Sequence, residues 1–125
     1  MTEAQILSQI CQYLKYQYPN VIYRVDFAAG MKMTIGQAVR QKKLQHSRAY
    51  PDLFIAEPNG EYNGLYIELK KYGEKVFTAK GKFTSSHIEE QYYMLEKLKN
   101  KGFMAEFAFG FDNCKWIIDK YMKMF

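Results

Sequence analysis

Glu68 and Lys70 stand two residues apart in Leu65-Tyr66-Ile67-Glu68-Leu69-Lys70, where apolar and polar residues largely alternate. On a strand, residues two apart share a face. Leu65, Ile67 and Leu69 are therefore expected in a core, with Tyr66, Glu68 and Lys70 on the opposite side. Asp52 opens the preceding apolar run, Leu53 to Ala56, directly after Pro51. If the two runs form a hairpin, Asp52 and Glu68 converge near one end of it. Two carboxylates beside an ammonium make a site for a hard divalent cation; magnesium takes a few carboxylate oxygens and keeps several waters. Such an ion stabilises charge on a scissile phosphate and lowers the pKa of a bound water. The lysine can polarise the attacking water or offset phosphoryl charge. Taken alone, Glu68-Leu69-Lys70 fits an ordinary solvated pair on an edge strand. The acid at the mouth of the strand before it shifts the balance toward a site.

Two more polar residues are out of place. Glu3 falls on the helical face of Leu7, Ile10 and Leu14, and Gln91 falls on the stripe of Ile88, Leu95 and Leu98. A buried carboxylate or amide needs a partner. Fraying of the terminus would account for Glu3, and a bond to nearby backbone for Gln91. Both anomalies in helices that cover one sheet point to one polar centre.

The elements that must position these groups follow from periodicity. Residues 3–18 form a helix ended by Pro19-Asn20, and Val21 to Phe27 a strand closed by Ala29-Gly30. A basic helix spans 34–46 with Thr34 as its N-cap. Leu53 to Ala56 and Leu65 to Lys71 are strands separated by the turn Pro58-Asn59-Gly60. Residues 72–82 read as a loop or flexible hairpin. Ser86-His87-Ile88-Glu89 has capping-box form and starts a helix to about Lys101, stopped by Gly102. Phe103 to Phe109 is a strand, and Asp112 or Asn113 starts the last helix, to about Met122. This order predicts one α/β domain over 1–125, a mixed sheet of about four strands flanked by helices.

Composition narrows the function. The chain carries 125 residues, 48% apolar and 25% charged, a balance that folds around a single core. No signal peptide is readable at Met1 to Gln5, and no stretch is long enough for a membrane span. Cys11 and Cys114 fit no metal spacing and read as reduced cytoplasmic thiols. No Gly-rich phosphate loop or GxSxG is present, which argues against a nucleotide cofactor and against an α/β-hydrolase. The net charge is +5, and no acid occurs from Phe27 to Pro51, which holds Lys32, Arg40, Lys42, Lys43 and Arg48. A second basic stretch holds Lys70, Lys71, Lys75, Lys80 and Lys82 against Glu74. Clustered basic charge is the footprint of a polyanion binder, although a solvated lysine face gives the same count.

The pattern Pro51-Asp52 followed by Glu68-Leu69-Lys70 resembles the PD-(D/E)xK nuclease signature. The full order is similar to the VRR-NUC branch: a helix with Glu3, a strand toward Gly30, a basic helix with Lys42-Lys43-Leu44, Pro51-Asp52, the Glu-x-Lys strand, and a helix with Gln91. The chain departs from the pattern at Ala49-Tyr50, where a glycine often precedes, and in its long lysine-rich stretch from Tyr72 to Phe83. The resemblance implies a restriction-endonuclease-like core and hydrolysis of DNA phosphodiesters with Mg2+ or Mn2+. Glu3, Asp52, Glu68 and the Leu69 backbone carbonyl would hold the metal, with Lys70 and Gln91 completing the catalytic set. Lys32, Arg40, Lys42, Lys43, Arg48, Lys71, Lys80 and Lys82 would bind DNA. It further implies branched DNA such as a Holliday junction as substrate, a homodimer, and the host cytoplasm if the protein is phage-encoded. A catalytically inactive nucleic-acid-binding module with the same fold is the competing reading; intact Asp52, Glu68 and Lys70 argue against it.

Overall fold

Strand β3 (Leu65–Lys70) shows why this sequence needs two helical layers, because every one of its residues is buried. Leu65, Ile67 and Leu69 enter the larger apolar cluster, which also holds Ile6, Ile10, Leu14, Ile118 and Tyr121. Tyr66 enters a second cluster with Met94, Leu95, Leu98 and Ala105. Glu68 and Lys70 follow Tyr66 on that second face, at the point where the apolar side chains stop.

The computed structural model describes residues 1–26 and 33–123. Around β3 the elements are α1 (Glu3–Gln17), β1 (Tyr23–Val25), α2 (Ile35–Leu44), β2 (Leu53–Ile55), α3 (Ser86–Lys99), β4 (Met104–Phe109) and α4 (Gly110–Met122). The sheet order is β1-β2-β3-β4. The first three strands are antiparallel and β4 runs parallel to β3, a pairing that needs the crossover α3 supplies. Helices α1 and α4 fill one face and α3 the other. The expected mixed four-stranded sheet and order of elements are both present.

Local chemistry explains the helix ends. Thr2 and Thr34 each close a capping box, with Gln5 and Gln37 reaching back to the cap N–H. Helix α2 is well capped but has no buried residue, and Ile35, Val39 and Leu44 face solvent. Among the described residues it packs against no other element. Its weak apolar stripe is the reason. No helix among the described residues is long and apolar enough to cross a membrane.

Several details differ from the sequence reading or sharpen it. β1 is shorter than Val21–Phe27, and Phe27, Ala29 and Gly30 lie outside the described residues. The cap of α3 is Ser85, whose hydroxyl accepts from Ile88 N–H at 3.1 Å, so the Ser86–Glu89 box is not used. Helix α4 begins at Gly110, directly after β4; Asn113 acts from inside the helix, its side chain accepting from Phe109 N–H at 2.8 Å. The 72–82 segment belongs to an ordered hairpin, with Phe77 bridged to Phe83.

Gly64 leads into β3 where β2 lies closest. A Cβ there would sit 2.8 Å from the Phe54 ring and 2.9 Å from the Ile55 carbonyl oxygen. The backbone oxygen cannot swing aside as a side chain can. Gly64→Ala is therefore expected to destabilise the fold by about 1–3 kcal/mol, the usual range for overpacking, read as a lower urea midpoint. An unchanged midpoint would show that β2 and β3 part without strain.

Candidate metal centre

The register that packs β2 against β3 also sets the polar groups. Leu53 pairs with Ile67 and Ile55 with Leu65. One step further, the same register sets Asp52 opposite Glu68; another step sets Pro51 opposite Leu69. Alternate pairs on antiparallel strands exchange both backbone bonds, but Pro51 has no N–H to give. Pro51 therefore cannot donate to β3 as another residue could at that position. Beside it the Asp52 side chain takes a backbone donor of β3: its Oδ2 accepts the Leu69 N–H at 2.8 Å. On its far side Asp52 is held by β1, its carbonyl accepting from Asp26 N–H at 2.8 Å.

Glu68 lies on the same face as Asp52, as directly opposed residues must. Helix α1 covers the other face of the sheet, so only its first turn can reach this point, and Glu3 occupies that turn. One carboxylate oxygen from each of Glu3, Asp52 and Glu68 lies within 4.8 Å of the others. Asp52 is 8% exposed, Glu68 3% and Lys70 5%. The helix N-terminus also favours a carboxylate at Glu3.

This crowding perturbs the acids. Burial raises the Glu68 pKa well above its ordinary value, and the hydrogen bond and charge of Asp52 raise it further, with Lys70 opposing. Burial also raises Glu3; Lys70 opposes, while Asp52 and Glu74 add to the rise. Without a cation, burial and the neighbouring carboxylate favour the neutral form of Glu68. A divalent ion is the counter-charge such a set lacks. The side-chain donors are all carboxylate oxygens, without histidine or cysteine, which suits magnesium or manganese.

These groups line a cleft of about 380 Å³ together with Asp26, Tyr50, Lys70, Glu74, Ser85, His87 and Gln91. A somewhat larger hollow, about 440 Å³, lies between α3 and the Ser47–Ala49 segment. No carboxylate cluster converges in it among the described residues, so size is not the guide here. Gln91 is 5% exposed. Its Nε2 lies 3.2 Å from His87 Nε2, and its buried Oε1 has no hydrogen-bond partner among the described residues. An acceptor left over in a polar cleft fits a water-bearing site.

The sequence reading did not single out Asp26 or His87. The signal for His87 was its place one turn before Gln91 on the same helix. Asp26 becomes visible only through the β1–β2 register. Of the basic residues, Arg40, Lys42 and Lys43 stand exposed on α2, and Lys71, Lys80 and Lys82 are exposed after β3. Arg48 lines the cleft but is not a bare cation: Nε and Nη2 donate to Glu90 at 2.9 and 2.8 Å. Lys32 lies outside the described residues.

The raised acids carry a stability consequence. A carboxyl whose folded pKa exceeds the unfolded one binds more protons when folded, so stability falls as pH rises between the two values. For Glu68 this loss begins above its ordinary value of 4.5. In metal-free buffer, Glu68→Gln should raise Tm at pH 7 to 8, and the gain should vanish toward pH 4. A variant with a Tm at or below that of wild type at pH 8 would contradict a strained acid pair.

No family model and no curated protein matches the sequence. Among solved structures, the chain superimposes on one described as "VRR_NUC domain protein" with a TM-score of 0.69 and 24% sequence identity, covering 99% of this chain and 90% of that one. The likeness runs through all the elements that build the cleft, and it shows that the chain has the fold of that VRR_NUC domain protein.

Proposed function

We propose that the chain is a metal-dependent nuclease of the VRR-NUC branch of the PD-(D/E)xK superfamily, hydrolysing DNA phosphodiesters. The observation that carries the reading is the convergence of Glu3, Asp52 and Glu68 within 4.8 Å, beside a buried Lys70. The fold shared with a VRR_NUC domain protein supports it.

Glu3, Asp52 and Glu68 would hold Mg2+ or Mn2+, with the Leu69 carbonyl as a further hard oxygen. The ion, when bound, supplies Lewis-acid polarisation of the phosphate and a more acidic water. The rest of the chemistry belongs to the chain. Lys70 stands on the same face as Glu68, two residues on, and its ammonium offsets charge developing on the phosphoryl oxygens. Gln91 offers its unpaired Oε1 to orient a water in the cleft, and His87, one turn before it, fixes that amide. Asp52 is pinned by the Leu69 N–H, so the carboxylate does not reorganise as the reaction proceeds.

Arg40, Lys42 and Lys43, exposed on α2, would supply phosphate contacts. Arg48 joins them by exchanging Glu90 for a phosphate, at little loss because the pair is exposed. Branched DNA is the proposed substrate. Cutting two strands symmetrically requires two sites, which a two-fold homodimer provides. The apolar residues that α2 leaves in solvent, Ile35, Val39 and Leu44, support such a partner. The free thiols Cys11 and Cys114 suit a reducing cytoplasm.

The test is cleavage and binding of one branched DNA by wild type and three variants, with folding checked by circular dichroism. Asp52→Ala and Glu68→Ala should each lower the cleavage rate about 10³-fold or more, the several kcal/mol a metal contributes to the transition state. Both should bind DNA in chelator at least as tightly as wild type, since a negative charge facing the phosphates is gone. Lys70→Ala should lose cleavage yet keep metal binding by calorimetry. Normal cutting by Asp52→Ala, or wild-type cutting in excess chelator, would leave a binding module as the better account.

A further inference from the structure

The segment that leaves Lys70 is a built structure. Thr78 N–H donates to the Lys82 carbonyl at 2.7 Å and Thr84 N–H to the Val76 carbonyl at 3.0 Å. Gly81, at φ +79°, makes the turn. The Thr84 hydroxyl ties down the Lys75 carbonyl at 2.8 Å. A lone two-stranded hairpin is marginal in water, and this one is stapled by rings. Phe83 packs on Phe77 and Tyr92, with centroids 4.9 and 5.2 Å away, and on Tyr93 at 5.8 Å. Tyr92 and Tyr93 follow Gln91 on α3, so the staple fixes the hairpin to the helix that lines the cleft.

Both feet of the hairpin stand on the cleft rim, since Glu74 and Ser85 line it. Its outer part carries Lys75, Lys80 and Lys82, all exposed. None of the three has an ion-pair partner among the described residues. Glu74 is the one acid between Lys70 and Ile88. The tip of the hairpin is the turn from Thr78 to Gly81, closed by the Gly81 N–H donating to the Thr78 carbonyl at 2.9 Å.

We infer that this hairpin is a rigid arm that grips the phosphate backbone of duplex DNA flanking the cleavage site, through Lys75, Lys80 and Lys82. The inference rests on the nuclease reading. A duplex holds its phosphates at a fixed offset from the cleft, which a stapled arm can match and a floppy loop would match only after being ordered. The arm is therefore a grip on the flank, separate from the groups that act on the scissile bond.

The experiment compares wild type with the triple variant Lys75→Ala/Lys80→Ala/Lys82→Ala, measuring DNA affinity against salt in chelator. The probe is a branched DNA whose duplex arms are trimmed stepwise. With long arms, the triple variant should bind more weakly, and its salt slope should fall by roughly 0.9 per lysine. Once the arms are too short to reach the hairpin, the two proteins should bind alike. Phe83→Ala, which keeps every lysine but removes the staple, should weaken binding to long arms while keeping the salt slope. A triple variant with wild-type affinity and slope on long arms overturns the proposal, as does Phe83→Ala binding as tightly as wild type. Wild type that binds these DNAs but cuts none in magnesium would refute the nuclease reading while leaving the arm intact.

Discussion

Where β2 gives way to Pro51, the ladder to β3 is finished by a side chain. Asp52 Oδ2 takes the Leu69 N–H that a neighbouring carbonyl would have accepted, and the proline beside it offers no N–H to the Leu69 carbonyl. One local substitution of carboxylate for backbone does two things. It ends the β2–β3 pairing without leaving a buried donor unsatisfied. It locks an acid directly across from Glu68. The apolar halves of the strands, Leu53 and Ile55 against Leu65 and Ile67, fix the register that makes this possible.

Three acids drawn together at the end of a buried strand oppose the stability of the metal-free fold. Burial and mutual repulsion push Glu68 and Glu3 toward their protonated forms, and Lys70 offsets only part of that charge. The large apolar cluster under α1 and α4 supplies the stability that lets the arrangement persist. A site of this kind is poised to bind a dication, because binding relieves the repulsion as well as filling the coordination shell.

Much of this was legible in the sequence because it follows from short-range rules. Strand alternation placed Glu68 and Lys70 on one face, helical periodicity marked Glu3 and Gln91 as anomalous, and Thr34 announced its helix. What was missed depends on partners distant in sequence. Asp26 is part of the cleft through the register of β1 on β2, which neither strand reveals alone. The lysine-rich segment reads locally as a loop or flexible hairpin; what holds it is Phe83 meeting Tyr92 and Tyr93 on a helix. The Arg48–Glu90 pair likewise joins groups far apart in sequence, so counting charge along the chain does not reveal it. The end of α3 at Lys99 and the start of α4 at Gly110 differ from the sequence reading for a related reason: backbone bonds and side chains from within the helix decide the caps.

The central claim is that Glu3, Asp52 and Glu68 together form a divalent-cation site. Anomalous scattering from a crystal soaked in Mn2+ tests it most directly. The account predicts one strong manganese peak within about 2.0–2.3 Å of oxygens from Asp52 and Glu68, the range of hard-ion coordination, with Glu3 and the Leu69 carbonyl beside it. Manganese bound only elsewhere on the protein, with Glu68 still hydrogen-bonded to Asp52, would contradict it.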